Sequence, residues 1–322
     1  MYTAWVGRLA AFARWGASFW GERGVVLGVL LILGGCPEMG VAQTASAQAA
    51  PVPQGAAVKL VDAGFEFTEG PVWHQGALLF SDVPANTVYR RTPSGETTAF
   101  IKPSGRANGL AVDTSGHLLL AQHQGTVARW VQGTMTTLVQ SYGGKRLNSP
   151  NDLVVASDGT IYFTDPPYGI DQEARELNFS GVYRLSSDGN LTLLTKALSR
   201  PNGIELAPDD STLYVNDAER TLVWAYDITE TGDIENRYRF AAPRDQGADG
   251  TTDGLEVDAN GNVYTTGPGG VWVYGPNGTQ RARIAVPKAP TNLAFGGEDR
   301  TTLYITARPH VYRVSVNVPG GE

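Results

Sequence analysis

Asn151-Asp-Leu-Val-Val155, a turn through Ser157-Asp158-Gly159, then Thr160-Ile-Tyr-Phe-Thr-Asp165 is the stretch on which the fold turns, because the chain repeats it. A polar residue is followed by an apolar pair, a turn and an alternating apolar strand. The same phrase opens at Glu69-Gly-Pro-Val-Trp73, Asn108-Gly-Leu-Ala-Val112, Asn202-Gly-Ile-Glu-Leu206, Asp253-Gly-Leu-Glu-Val257 and Thr291-Asn-Leu-Ala-Phe295. The six starts, at 69, 108, 151, 202, 253 and 291, lie 39, 43, 51, 51 and 38 residues apart. A period of roughly 40 to 50 residues is that of a four-stranded propeller blade.

Each phrase supplies two strands, and two more strand-like runs follow it, as in Val127-Ala-Arg-Trp130 and Thr136-Thr-Leu-Val139. The turns carry Asp or Asn with Gly, which supply the positive φ that tight hairpins need. The expected fold is therefore all-β, a six-bladed β-propeller with four strands per blade. The sixth unit runs out after Val311-Tyr-Arg-Val-Ser315, so Ala57-Val-Lys-Leu-Val61 is expected to close the ring as its outer strand. Such closure leaves no long open edge. Composition agrees: 39 Gly, 19 Pro and 9% aromatic residues against 18% charged ones fit many short strands and tight turns.

The first 49 residues read differently from the propeller domain expected over 50–322. Arg8, Arg14 and Arg23 precede the apolar run from Val25 to Leu33, and Ala45-Ser-Ala-Gln-Ala49 offers small-residue cleavage sites. The run is short for a membrane span and reads as an export signal, which implies a periplasmic or secreted body. Cys36, the only cysteine, sits in Leu33-Gly-Gly-Cys36, which resembles a lipobox and points to a lipid anchor, although Pro37 is an unfavourable follower. The net charge of −7, without a basic tract, argues against nucleic acid as a partner.

Innermost propeller strands run side by side around the axis, so Glu69, Asn108, Asn151, Asn202, Asp253 and Thr291 should meet at one mouth of the tunnel. Two carboxylates with amide oxygens make a hard, all-oxygen cation site suited to Ca²⁺, with Mg²⁺, Mn²⁺ or Zn²⁺ as substitutes. His74, His117, His123 and His310 lack the spacing of a zinc site. A bland alternative reads Asn-Gly and Asp-Gly as mere turn dipeptides. The ends of the second strands add His123, Asp165 and Asp217 near the rim, the two aspartates as partners of blade-joining loops. The insertion 166–180 brings Tyr168 and Phe179, either over a pocket or as loop anchors.

Thr68-Glu-Gly-Pro-Val-Trp73, Ser149-Pro-Asn-Asp152, Tyr162-Phe-Thr-Asp-Pro-Pro-Tyr-Gly169, Arg200-Pro-Asn-Gly203 and Thr252-Asp-Gly-Leu255 resemble the gluconolactonase, regucalcin and SMP-30-like family. The resemblance covers about residues 57–316. It implies metal ligation by Glu69, Asn202 and Asp253, with Asn151 touching metal or substrate. It implies a hydrolase that opens a small lactone or ester, with Asp253 as general base or nucleophile beside a Lewis-acidic Ca²⁺. Asn108, Asn151, His123 and Tyr168 are then the substrate-contacting candidates. Regucalcin-like members carry Arg where this chain has Ser149, so the sugar lactone is left open. An arylesterase or phosphotriesterase on the same site, a quinone-dependent sugar dehydrogenase and a non-enzymatic binding propeller are the competing readings. No Gly-x-Ser-x-Gly elbow supports a serine hydrolase.

Overall fold

Period-2 strands that are apolar on both faces must be covered on both faces, and a ring of radially packed sheets does this. Residues 49–321 are described by the computed structural model; the expected export signal and Cys36 lie outside the described residues, apart from Ala49. Six four-stranded antiparallel sheets form the blades. Their innermost strands are Thr68–His74, Ala107–Val112, Leu153–Val155, Pro201–Leu206, Leu255–Val257 and Asn292–Gly296. Successive innermost strands neighbour one another, and Asn292–Gly296 returns to Thr68–His74, so the ring closes.

Blade two shows how one strand serves two interfaces. In Leu118–Gln122, Leu118 and Leu120 pack toward blade one, while Leu119 and Ala121 pack toward blade three. Alternate side chains of a strand point to opposite faces, so an apolar run without polar interruption is what a doubly covered strand requires. The hairpin turns behave as expected, with Gly159 at φ 85° and Gly261 at φ 75°.

The outer strand of blade six comes from the N-terminal side, as expected, but as Lys59–Ala63 rather than 57–61, paired antiparallel with His310–Ser315. The shift has a packing cause. Val52, Ala56 and Val58 are drawn under the core shared by blades five and six, and the ladder begins after them. Two small additions interrupt the repeat: a hairpin of Ser141–Tyr142 with Lys145–Arg146, and the 3-10 turn Gln172–Ala174 inside the long loop of blade three. Among the described residues no helix is long and apolar enough to cross a membrane.

Candidate active site at the tunnel mouth

The polar residue of each phrase leaves the sheet ladder where it reaches the axis. In blades one, two and four the ladder slips between Glu69 and Val72, Ala107 and Leu110, and Pro201 and Ile204. In blades three and five the innermost strand proper begins only at Leu153 and Leu255, after Asn151 and Asp253. Such slips re-aim a side chain that a regular strand would bury in the sheet.

The glycine that follows the polar residue answers the turn-dipeptide alternative. A Cβ on Gly109 would lie 2.4 Å from Asp152 Oδ1, and one on Gly254 would lie 1.9 Å from Asn292 Oδ1. Neither glycine has a positive φ, so it serves close approach rather than a turn. Gly109, Gly203 and Gly254 donate their N–H to the carbonyls of Asn151, Asp253 and Thr291 on the next blade, at 2.7, 2.8 and 2.8 Å.

Glu69, Asn202 and Asp253 are brought together, and Asn151 stands at the equivalent position of blade three beside His123. Glu69 is 2% exposed, and burial pushes its pKa up from 4.5 to about 7, against hydrogen bonds from Gly70 and Asn292 and the charge of Arg308. Asp253 is raised well above the usual carboxylate range by burial, then by the charge of Glu69. Asn202 bonds to Asp253 and lies 3.3 Å from the Tyr168 hydroxyl. The Oδ1 of Asn151 is buried without a hydrogen-bond partner. Such an orphan is costly unless a ligand meets it.

Two repelling carboxylates, an unpartnered amide oxygen and a second amide fit a hard divalent cation, which would relieve the repulsion and satisfy the oxygen. Among the described residues no three His, Cys, Asp or Glu side chains form a metal cluster.

The remaining candidates divide. Asn108 donates through Nδ2 to the Asn151 carbonyl at 3.0 Å, and Thr291 donates through Oγ1 to the Thr68 carbonyl at 2.8 Å; both tie neighbouring blades together. His123 Nε2 lies 3.5 Å from Asn151 Nδ2, and burial, helped by Arg106, lowers its pKa from 6.5 to about 4. Its strand ends one residue earlier, so Gln122 holds the place that Asp165 and Asp217 hold in blades three and four. Asp217 accepts the N–H groups of Ser199 and Arg200, and Asp165 accepts that of Asn148, the blade-joining role expected of them. Phe179 packs against the core of blades two and three and anchors its loop, whereas Tyr168 reaches the mouth. Ser149 donates Oγ to the His123 carbonyl at 3.2 Å.

A bridge across the tunnel was not anticipated. Blades three and six face each other across the ring, and Asn292 Nδ2 donates to Asp152 Oδ2 at 3.2 Å. Asn292 also bonds Glu69, so one amide links two acids just inside the mouth. The signal was present in the six copies: the second position is Gly in blades one, two, four and five, but Asp152 and Asn292 in three and six. Inward of the bridge lies a cavity of about 660 Å³, lined by Glu205, Glu256 and Arg300 among others, which reaches Asp152 and Asn292 but none of the four candidate ligands. This cavity is thus distinct from the position of the candidate ligands.

A six-bladed propeller with an oxygen-lined mouth is the class that fold and site define. The SMP-30/gluconolactonase/LRE-like region matches residues 67–308, and the chain belongs to that family. It is 36% identical over 293 residues to a gluconolactonase of Zymomonas mobilis subsp. mobilis, covering 82% of each chain. The solved structure of a gluconolactonase from Xanthomonas campestris superposes with a TM-score of 0.77 at 31% identity, over 83% of this chain and 91% of that one. A calcium-binding protein, regucalcin, from Agrobacterium tumefaciens shares the fold with a TM-score of 0.69 at 21% identity, over 82% of this chain and 95% of that one.

Proposed function

We propose that this chain is a lactonase that opens a small, sugar-type lactone at the tunnel mouth with a divalent cation of the Ca²⁺ type. The observation that supports the reading is that Glu69 and Asn202 both act on Asp253, with the Oδ1 of Asn151, at the equivalent position of blade three, buried and unpartnered. Family membership supports the reaction class, since the two gluconolactonases above are more than 30% identical to this chain.

When bound, the cation supplies Lewis-acid polarisation of a carbonyl oxygen. The protein supplies the rest. Glu69 is held by Gly70 N–H at 2.9 Å and by Asn292, which suits a fixed ligand. Asp253, bonded to Asn202 and beside Glu69, is the carboxylate that acts as general base. It takes a proton from the attacking water and returns it to the ring oxygen as the acyl–oxygen bond breaks, so lactone and water become a hydroxy acid. Tyr168 covers the mouth and orients the Asn202 amide.

The test is a panel of aldonolactones, acyl lactones, aryl esters and phosphotriesters, assayed with a chelator and after Ca²⁺ is restored. Hydrolysis of aldonolactones that chelation abolishes and Ca²⁺ returns is the expected result. Asp253→Asn should lower kcat by at least about a hundredfold while the variant still binds Ca²⁺ in a calorimeter. Single turnover in ¹⁸O water should label the product, since water attacks directly. No turnover of any lactone by Ca²⁺-loaded protein would leave a binding propeller.

A further inference from the structure

Arginine surrounds the mouth in three places. Arg106 lies two residues before Asn108, Arg200 two before Asn202, and Arg308 directly follows the strand Thr302–Ala307. They come from alternate blades, two, four and six, and all three are exposed. Arg308 lies over the Phe67 ring at 4.3 Å, and its charge reaches both Glu69 and Asp253. The charge of Arg106 reaches His123, and Arg200 lies over the Tyr168 ring at 5.5 Å.

These cations lack the close carboxylate partner that several other arginines have. Arg91, Arg129, Arg220 and Arg283 each meet a carboxylate within 3.3 Å. Among the described residues Arg106 and Arg308 form no ion pair, and Arg200 meets Glu219 only at 4.0 Å with both side chains half exposed. The backbone at Arg106 is left-handed, φ 56°, and is held there by Asn86 Oδ1, which accepts the N–H groups of Ser104 and Arg106 at 3.0 and 2.7 Å. A non-glycine residue keeps that conformation only where its surroundings enforce it. Ser149, the equivalent residue of blade three, carries no charge, so the cations stand on the blades to either side of it.

We propose that Arg106 and Arg308, with Arg200 beside them, bind an anionic substituent of the substrate, so that the preferred lactone is an acidic one bearing phosphate or carboxylate. The proposal rests on the lactonase reading. A divalent cation balances Glu69 and Asp253, which leaves the arginine charge of the rim uncompensated on a chain of net −7. Such a mouth draws an anion that the rest of the surface repels. Guanidinium groups also match oxyanions with paired N–H donors.

The experiment compares kcat/KM of the Ca²⁺-loaded protein on glucono-1,5-lactone, its 6-phosphate and a lactone of glucaric acid. At least one anionic lactone should exceed the neutral one by about tenfold or more, through charge-assisted bonds, and the advantage should shrink as salt rises. Arg308→Gln and Arg106→Gln should each cut that advantage about tenfold, mainly through KM. Which anionic lactone responds identifies phosphate or carboxylate as the group bound. Equal kcat/KM on neutral and anionic lactones, or equal losses on both in the variants, would overturn the proposal. Calorimetric titration with 6-phosphogluconate separates the two readings. Arginine-dependent binding with no turnover of any lactone would retain the rim and remove the lactonase reading; turnover of the neutral lactone with no such binding would do the reverse.

Discussion

At Asn292 a single amide holds Glu69 on one side and Asp152 on the other, and its own Oδ1 accepts the Leu293 N–H at 2.8 Å. Its neighbour Gly254 has no room for a methyl group. Asn292→Ala removes the donor to both acids, and loss of a group that orients a ligand in this way should weaken metal binding by about 10- to 100-fold. Calcium titration by calorimetry should read that drop. Gly254→Ala should destabilise the fold by about 1–3 kcal/mol through overpacking against Asn292, measured by urea unfolding. At this scale the polar starts Glu69, Asn151, Asn202 and Asp253 were legible because each stands where a strand core position would be apolar. The bridge was harder to read, since contact between residues 140 positions apart depends on which blades face each other.

Blades one to four also depend on how the second strand ends. Asp82, Asp165 and Asp217 close their strands and accept N–H groups from the segment that leads into the same blade: Glu66 and Phe67, Asn148, and Ser199 and Arg200. Gln122 serves blade two by the opposite polarity, donating to the Ser104 carbonyl at 2.8 Å. Asp217→Ala would leave two N–H groups without their acceptor, at about 1–3 kcal/mol for each that stays buried. A lower urea midpoint at unchanged m-value is the expected readout. The aspartates were readable as a repeated strand ending, and the structural role of Asp165 and Asp217 was anticipated. His123 was misaligned by one residue because Gln122, not His123, is the chemical equivalent of the aspartates.

Across the whole molecule, the cavity inward of the bridge gathers charge that folding must accommodate. Burial raises Glu205 from 4.5 to about 7 and, together with the charge of Glu205, raises Glu256 well above 4.5; Arg300 opposes both shifts. The folded chain therefore keeps protons that the unfolded chain releases near 4.5, and their stabilisation is complete below that pH and is lost as pH rises through about 7. The melting temperature should fall between about pH 5 and 8, and Glu256→Gln should flatten that decline. The sequence by itself determined the number of blades, the N-terminal origin of the strand that closes the ring and the polar residues at the blade starts, because these follow from periodicity and from polar residues recurring at one position of a repeat. Only the tertiary structure decided that Asp152 meets Asn292 across the tunnel, that Asn108 and Thr291 hydrogen-bond to neighbouring blades, and that Arg106, Arg200 and Arg308 stand near its rim. Those facts depend on distances between blades, and a repeat specifies what each blade contains without specifying what it meets when the ring closes.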